Sequence, residues 1–251
     1  MRFCIPIPCF FPKLDFVEAI HQVKAYGFDA AETYAWRHLD LPAVRRACEE
    51  TGVELLSMCT TEFNMTAPAK RGAWLDGLRE SCQAAKLVGA KRLITQVGPD
   101  TGEERASQHE SIVAALKQAR PLLEESGVTL MIEPLNTLVD HPGYYLWRSA
   151  EAFEIVREVD HPLVKVVYDI YHQQVMEGNI IPSILNNLDC IAHLHCAGHP
   201  GRIELQFGES NYAVIFETVD KAGYRGACGL EYRPSLGTDK SLESFKQIYL
   251  S

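Results

Sequence analysis

Short apolar runs alternate with longer amphipathic stretches along the whole chain. The runs are RFCIPIP (2–8), FDAAETY (28–34), VELLSMC (53–59), KRLITQ (91–96), VTLMIE (128–133), LVKVVYD (163–169), CIAHLH (190–195) and GACGLE (226–231). Each is too short for a typical helix and is rich in β-branched or other apolar residues, as a strand buried on both faces should be. The stretches between them predict helices over 14–26, 41–51, 72–88, 103–126, 149–159, 180–188, 212–222 and 242–249. Gly52, Gly89 and Gly127 follow three of these directly, where a left-handed C-cap belongs. Eight β-α units in series predict a (β/α)8 barrel of the α/β class, a single domain over 1–251. A doubly wound open sheet is the rival architecture. No GxGxxG follows the first strand and the unit count is eight, so the closed barrel is preferred.

Length and composition narrow the picture further. The 251 residues match one barrel of this kind, and 47% hydrophobic content is ordinary for a globular protein. A net charge of −9 argues against a nucleic-acid partner, which needs a basic footprint. Prolines at 6 and 8 interrupt the N-terminus too early for a signal-peptide core, and no apolar stretch reaches 18 residues. The eight cysteines are scattered without a CxxC pair, and Cys4, Cys190 and Cys228 sit inside apolar runs. Free thiols in a reducing compartment account for them better than disulfides. The expected setting is the cytoplasm, with no membrane. The expected partners are a small-molecule substrate and, at most, further copies of the same chain.

The last four runs carry the chemistry. They end in Glu133, Asp169, His195 and Glu231, spaced 36, 26 and 36 residues apart. One acid at a strand end usually caps a helix or meets a loop arginine. Four metal-ligating residues on successive strands instead converge on the C-terminal face, where barrels of this kind do their chemistry. Without a cation they would place a charge of about −3 in one mouth. Three carboxylates and one imidazole form an oxygen-rich set that suits one divalent ion, Mn2+, Mg2+ or Co2+, rather than a structural zinc.

Other residues fall near the same point. His172 stands three positions past Asp169, and Arg202, in His199-Pro-Gly-Arg202, is a candidate clamp for a carboxylate or hydroxyl. Glu32 and Gln96 end the second and fourth runs and are candidates to line the same pocket. Phe10, Phe11, Tyr34 and Trp36 are candidate wall residues, equally explained by packing. His193 is assigned a structural role, with its side chain pointing outward into the helix layer. Long connections at 60–71, 134–148 and 196–211 lie on the side where a site would need them.

The segments Ile132-Glu-Pro-Leu-Asn136, Asp140-His-Pro-Gly-Tyr144, Tyr168-Asp-Ile-Tyr-His-Gln-Gln174, Pro200-Gly-Arg202, Gly208-Glu-Ser-Asn-Tyr212 and Gly229-Leu-Glu-Tyr-Arg-Pro234 resemble the hydroxypyruvate isomerase family of the xylose-isomerase-like TIM barrels. The resemblance implies that Glu133, Asp169, His195 and Glu231 hold one divalent metal ion. It implies that Glu133 and Glu231 are also the acid/base pair, and that His172 and Arg202 contact substrate. Two features depart from the family pattern. Hydroxypyruvate isomerases tend to carry Gln where His195 stands, whereas the related ketose 3-epimerases carry His. The loop Ala197-Gly-His199-Pro also differs from the usual form.

The implied reaction is isomerisation of a small α-hydroxy-keto compound through a cis-enediolate, such as hydroxypyruvate to tartronate semialdehyde. The cation would stabilise the enediolate and two carboxylates would move the proton. A ketose 3-epimerase is the alternative, since the same groups serve both outcomes. An endonuclease IV-like nuclease would need several zinc ions and a basic surface, which the charge opposes. A non-catalytic sugar-binding barrel could lose either glutamate, and both are present.

Overall fold

A computed structural model describes residues 1–250. Its eight strands are β1 (Arg2–Pro6), β2 (Ala30–Thr33), β3 (Glu54–Cys59), β4 (Arg92–Thr95), β5 (Thr129–Ile132), β6 (Val164–Asp169), β7 (Ile191–Cys196) and β8 (Ala227–Leu230). Each pairs in parallel with the next, and β8 pairs with β1, which closes the barrel. The eight helical stretches expected from the sequence are all present, and Ser149–Val159 has the expected bounds. Gly52, Gly89 and Gly127 cap their helices with left-handed backbone, each donating its N–H to the carbonyl four residues back.

Three local differences have physical causes. The first run reads as strand through Pro8, but the chain turns helical over Ile7–Phe10. Pro8 lies in the first turn of that helix, where a missing N–H does no harm and a fixed φ helps. A second short helix, Ile170–Met176, starts directly after β6, with the Asp169 carboxylate accepting from the Tyr171 and His172 amides. The final helix begins at Thr238, one turn earlier than its apolar periodicity suggests.

The main core lies between the strands and the helix ring. Inside the barrel, two smaller clusters fill the axis: Cys4, Ala30, Leu56 and Ala227 in one, and Cys59, Ile94, Met131 and Val167 in the other. Met131 and Val167 stand two positions before Glu133 and Asp169. Strand residues two apart share a face, so the apolar filling and the polar mouth belong to the same inward rows. Register then sets height: Asp169 is paired with His195, and His195 with Gly229. No described helix is long and apolar enough to cross a membrane.

The seam between β1 and β8 is covered by the last helix. Phe245 meets Phe3 edge-on at 5.0 Å between ring centroids and tilts against Phe28 at 6.4 Å. Phe245→Ala removes a buried ring from this closure and should lower the unfolding free energy by about 3–5 kcal/mol. Urea unfolding followed by circular dichroism measures the loss. A change below about 1 kcal/mol would mean that the helix does not hold the seam.

Candidate metal centre and substrate cavity

Glu133, Asp169, His195 and Glu231 each offer one ligand atom, and these atoms lie within 4.8 Å of one another. His195 Nδ1 stands 3.1 Å from Glu231 Oε2 and 3.4 Å from Glu133 Oε1. Strand alternation and register bring them together, since Asp169 and His195 are paired across β6 and β7 while Glu133 and Glu231 extend one residue past β5 and β8. Asp169 Oδ2 and His195 Nδ1 are both buried without a hydrogen-bond partner. Orphaned buried polar atoms of this kind are costly unless something binds them. Two such atoms aimed at one point, beside two further carboxylates, fit a divalent cation.

The electrostatics agree. Burial raises the Asp169 pKa, as does the neighbouring Glu231 charge, against the opposing pull of Arg202 and His195. Burial would also raise Glu231, but Arg202 and His195 outweigh it and hold that carboxyl well below its usual range. His195 is lowered by burial, yet the charges of Glu231 and Glu32 lift it well above its usual value. The cluster therefore holds protons where a cation would otherwise supply the positive charge.

Above the cluster opens a cavity of about 550 Å³, within the range of small-molecule sites. Of the six residues singled out in the sequence, Glu133, His172, His195, Arg202 and Glu231 line it, while Asp169 is fully buried beneath. Of the candidate lining residues, Tyr34, Trp36 and Gln96 also line it. Phe10 packs into the core against Tyr232, and Phe11 is likewise a core residue.

His172 is neutral and oriented. Burial and Arg202 press its pKa well below the usual range. Its Nδ1 accepts from the Asn136 backbone N–H at 3.1 Å, with the Asn136 side-chain nitrogen 2.7 Å away, which leaves the ring proton on Nε2, 3.4 Å from Asp169 Oδ2. Asn136 also binds Asp140, and Asp140 accepts from Tyr171 Oη at 2.8 Å. The long 134–148 connection is thus tied to the site by its own polar groups. His141 and Asn136 had no role in the sequence reading. His141 lines the cavity, and the signal for both was their place just past a ligand-bearing strand.

Arg202 sits on left-handed backbone, with φ 51°. Its guanidinium donates to Glu231 Oε2 at 2.8 Å, lies 3.6 Å from Asp169 Oδ2, and stacks over the Tyr171 ring at 5.0 Å. It touches the cavity and holds the Glu231 carboxylate at the same time.

His193 requires a correction. It was expected to face the helix layer, but it lies inside the barrel, fully buried, with Nε2 2.5 Å from Glu32 Oε1. The reason is strand geometry: residues 193 and 195 are two apart and share a face. Glu32 was expected beside the pocket and instead lies beneath it, bridging the two histidines.

Comparison with known proteins gives a consistent picture. The sequence profile of the xylose isomerase-like TIM barrels matches residues 20–248. A Danio rerio protein provisionally named as a hydroxypyruvate isomerase is 30% identical, covering 100% of this chain and 96% of its own. A 2-oxo-tetronate isomerase from Cupriavidus necator is 34% identical over 70% of this chain and 67% of its own. Among solved structures, a Brucella melitensis protein described as an AP endonuclease of family 2 superposes with a TM-score of 0.93. It is 25% identical, with 99% of each chain covered.

Protons held by Asp169 and His195 compete with a cation, so metal uptake by chelator-treated protein should release protons. Affinity should rise as pH climbs toward about 8, because the Asp169 carboxyl, raised to about 8, loses its proton over that range. Titration calorimetry in two buffers of different ionisation enthalpy measures the release, and heats independent of buffer would contradict it. Bound cation at one hundred times its Kd should add about 2.7 kcal/mol of stability, read as a rise in Tm.

Proposed function

The chain belongs to the xylose isomerase-like TIM barrel family, and from that premise we propose that it is a metal-dependent isomerase of a small hydroxy-keto acid. Hydroxypyruvate and a four-carbon 2-oxo-tetronate are the candidate substrates, and Mn2+, Mg2+ or Co2+ the candidate ion. The observation that carries this reading is the convergence of Glu133 and Glu231 on one buried point at the floor of the cavity. Both the names of the two sequence relatives and the donor set support it.

A cation held by Glu133, Asp169, His195 and Glu231 would supply positive charge to the oxygens of the substrate as they become negative. The protein's own groups do the rest. A carboxylate that uses one oxygen as a ligand keeps the other free as a base. Glu133 and Glu231 approach His195 Nδ1 from two strands. One takes the C–H proton next to the carbonyl, giving an enediolate. The other, or the same one, returns it at the neighbouring carbon. For hydroxypyruvate the C3 proton leaves and a proton arrives at C2, so the ketone becomes an alcohol and the alcohol an aldehyde. In this reading His172, a cavity-lining residue, gives its Nε2 proton to the C2 oxygen and takes back the proton of the C3 hydroxyl, which balances the exchange.

Arg202 links binding to basicity. As it stands, its charge lies on Glu231 and makes that carboxylate a weak base. A substrate carboxylate would compete for the same guanidinium, and Glu231 would gain basicity as Arg202 turned toward it.

The second reading is ketose 3-epimerisation. His195 favours it, since imidazole at this position follows the epimerase pattern, and a cavity of about 550 Å³ has room for more than three carbons.

Glu133→Gln and Glu231→Gln should each reduce kcat by at least ~10²-fold, measured in steady state on loaded enzyme. Near wild-type turnover in either variant would reject the paired-carboxylate assignment. Reaction in deuterated water should place deuterium on carbon, and its absence from both product and recovered substrate would reject the enediolate.

The wild type should show a higher kcat/KM on hydroxypyruvate or 2-oxo-tetronate than on fructose or tagatose. Arg202→Lys keeps the charge but loses the fork, so it should lose more activity on the acids than on the sugars. A clear preference for ketoses would replace the isomerase reading with the epimerase one.

A further inference from the structure

Below the four converging ligands lies a second polar layer. Glu32, on β2, is 1% exposed. One carboxylate oxygen, Oε2, lies 3.1 Å from His195 Nε2. The other, Oε1, is 2.5 Å from His193 Nε2 and accepts from Cys4 Sγ at 3.2 Å. The two imidazoles stand nearly perpendicular, with centroids 5.0 Å apart. An ionised carboxylate this deep is costly unless it is fully partnered. Here two ring nitrogens and a thiol surround it.

The layer fixes which nitrogen of His195 faces the mouth. Nε2 points down to Glu32, and Nδ1 points up between Glu133 and Glu231, where it has no hydrogen-bond partner. We propose that Glu32 is a positioning residue, which accepts a hydrogen bond from the Nε2–H of His195 and so presents Nδ1 as the metal-donor atom, with His193 and Cys4 holding Glu32 in place. Metal-bound imidazoles commonly donate their other ring N–H to a carboxylate, which fixes the tautomer and strengthens the ligand. This inference rests on the cation site proposed above.

The backbone of β8 makes room for the bridge. Gly229 is the register partner of His195. A Cβ there would stand 2.7 Å from His195 Cδ2 and 2.8 Å from Glu32 Oε2. The Glu32–His195 contact occupies the volume that any other residue at 229 would fill. Gly229 is not needed for a special φ, so the requirement is one of space.

The test uses full-length protein labelled with 15N-histidine, stripped with chelator and loaded with 113Cd2+. One imidazole should show one-bond coupling to cadmium at Nδ1, while its Nε2 proton stays in slow exchange with water. Assignment of that ring is checked by its loss in His195→Gln. Glu32→Gln keeps the volume and removes the charge. It should weaken Mn2+ binding by about 10–100-fold, and the slow Nε2 proton should become exchange-broadened. Gly229→Ala should weaken binding in the same direction.

Cadmium coupling at Nε2 of His195, or Mn2+ affinity in Glu32→Gln within twofold of wild type, overturns the proposal. Should Glu32→Gln fail to fold, the coupling pattern of the wild type decides alone. If wild-type protein binds Cd2+ without coupling to any histidine, or binds neither ion, the metal reading itself falls and this inference with it.

Discussion

Three carboxylates crowded at the end of four adjacent strands are the constraint on which the site depends. Like charges at this separation in a buried setting repel by several kcal/mol unless something positive lies among them. Glu133, Asp169 and Glu231 meet two positive groups, His195 and Arg202, and Asp169 still shows a raised pKa. The arrangement is thus arranged around positive charge that the side chains supply only in part. The two unpartnered buried atoms, Asp169 Oδ2 and His195 Nδ1, lie where the proposed divalent cation would complete it.

The barrel supplies the geometry that makes such crowding tolerable. Parallel register puts Asp169, His195 and Gly229 level across three strands. The missing side chain at 229 then leaves space for Glu32 to reach under His195. Below that layer the interior becomes apolar, packed with Ala30, Leu56 and Ala227. The mouth can be strongly polar because the rows beneath it are packed with apolar side chains.

Outside the four converging residues, the loops carry the other polar groups that line or brace the cavity. Asn136 orients His172 and binds Asp140, and Tyr144 Oη donates to the Glu133 carbonyl at 3.1 Å. Arg202 spans the boundary, since it holds Glu231 and faces the cavity. Under the proposed reaction this one guanidinium couples recognition of an acid to the strength of the base, which a neutral sugar could not exploit in the same way.

The barrel was legible in the chain because its signals are local: apolar runs of strand length, glycine stops, and ligands at strand ends are all visible without long-range contacts. Glu133, Asp169, His195 and Glu231 were legible for the same reason, as was the approach of His172 and Arg202. Tertiary structure alone decided the rest. The role of Glu32 depends on a partner 163 residues away, and the space it uses depends on the absence of a side chain on a third strand. His193 was misplaced by a reading that set it opposite its neighbour two positions on, although pleating puts the two on one face. Arg202 was seen as a clamp for substrate, but its hold on Glu231 arises only where the β7 loop folds back over β8. Periodicity along one strand can say which residues share a face. Which atoms meet across the barrel axis is set by register, twist and packing, and these exist only once the sheet has closed.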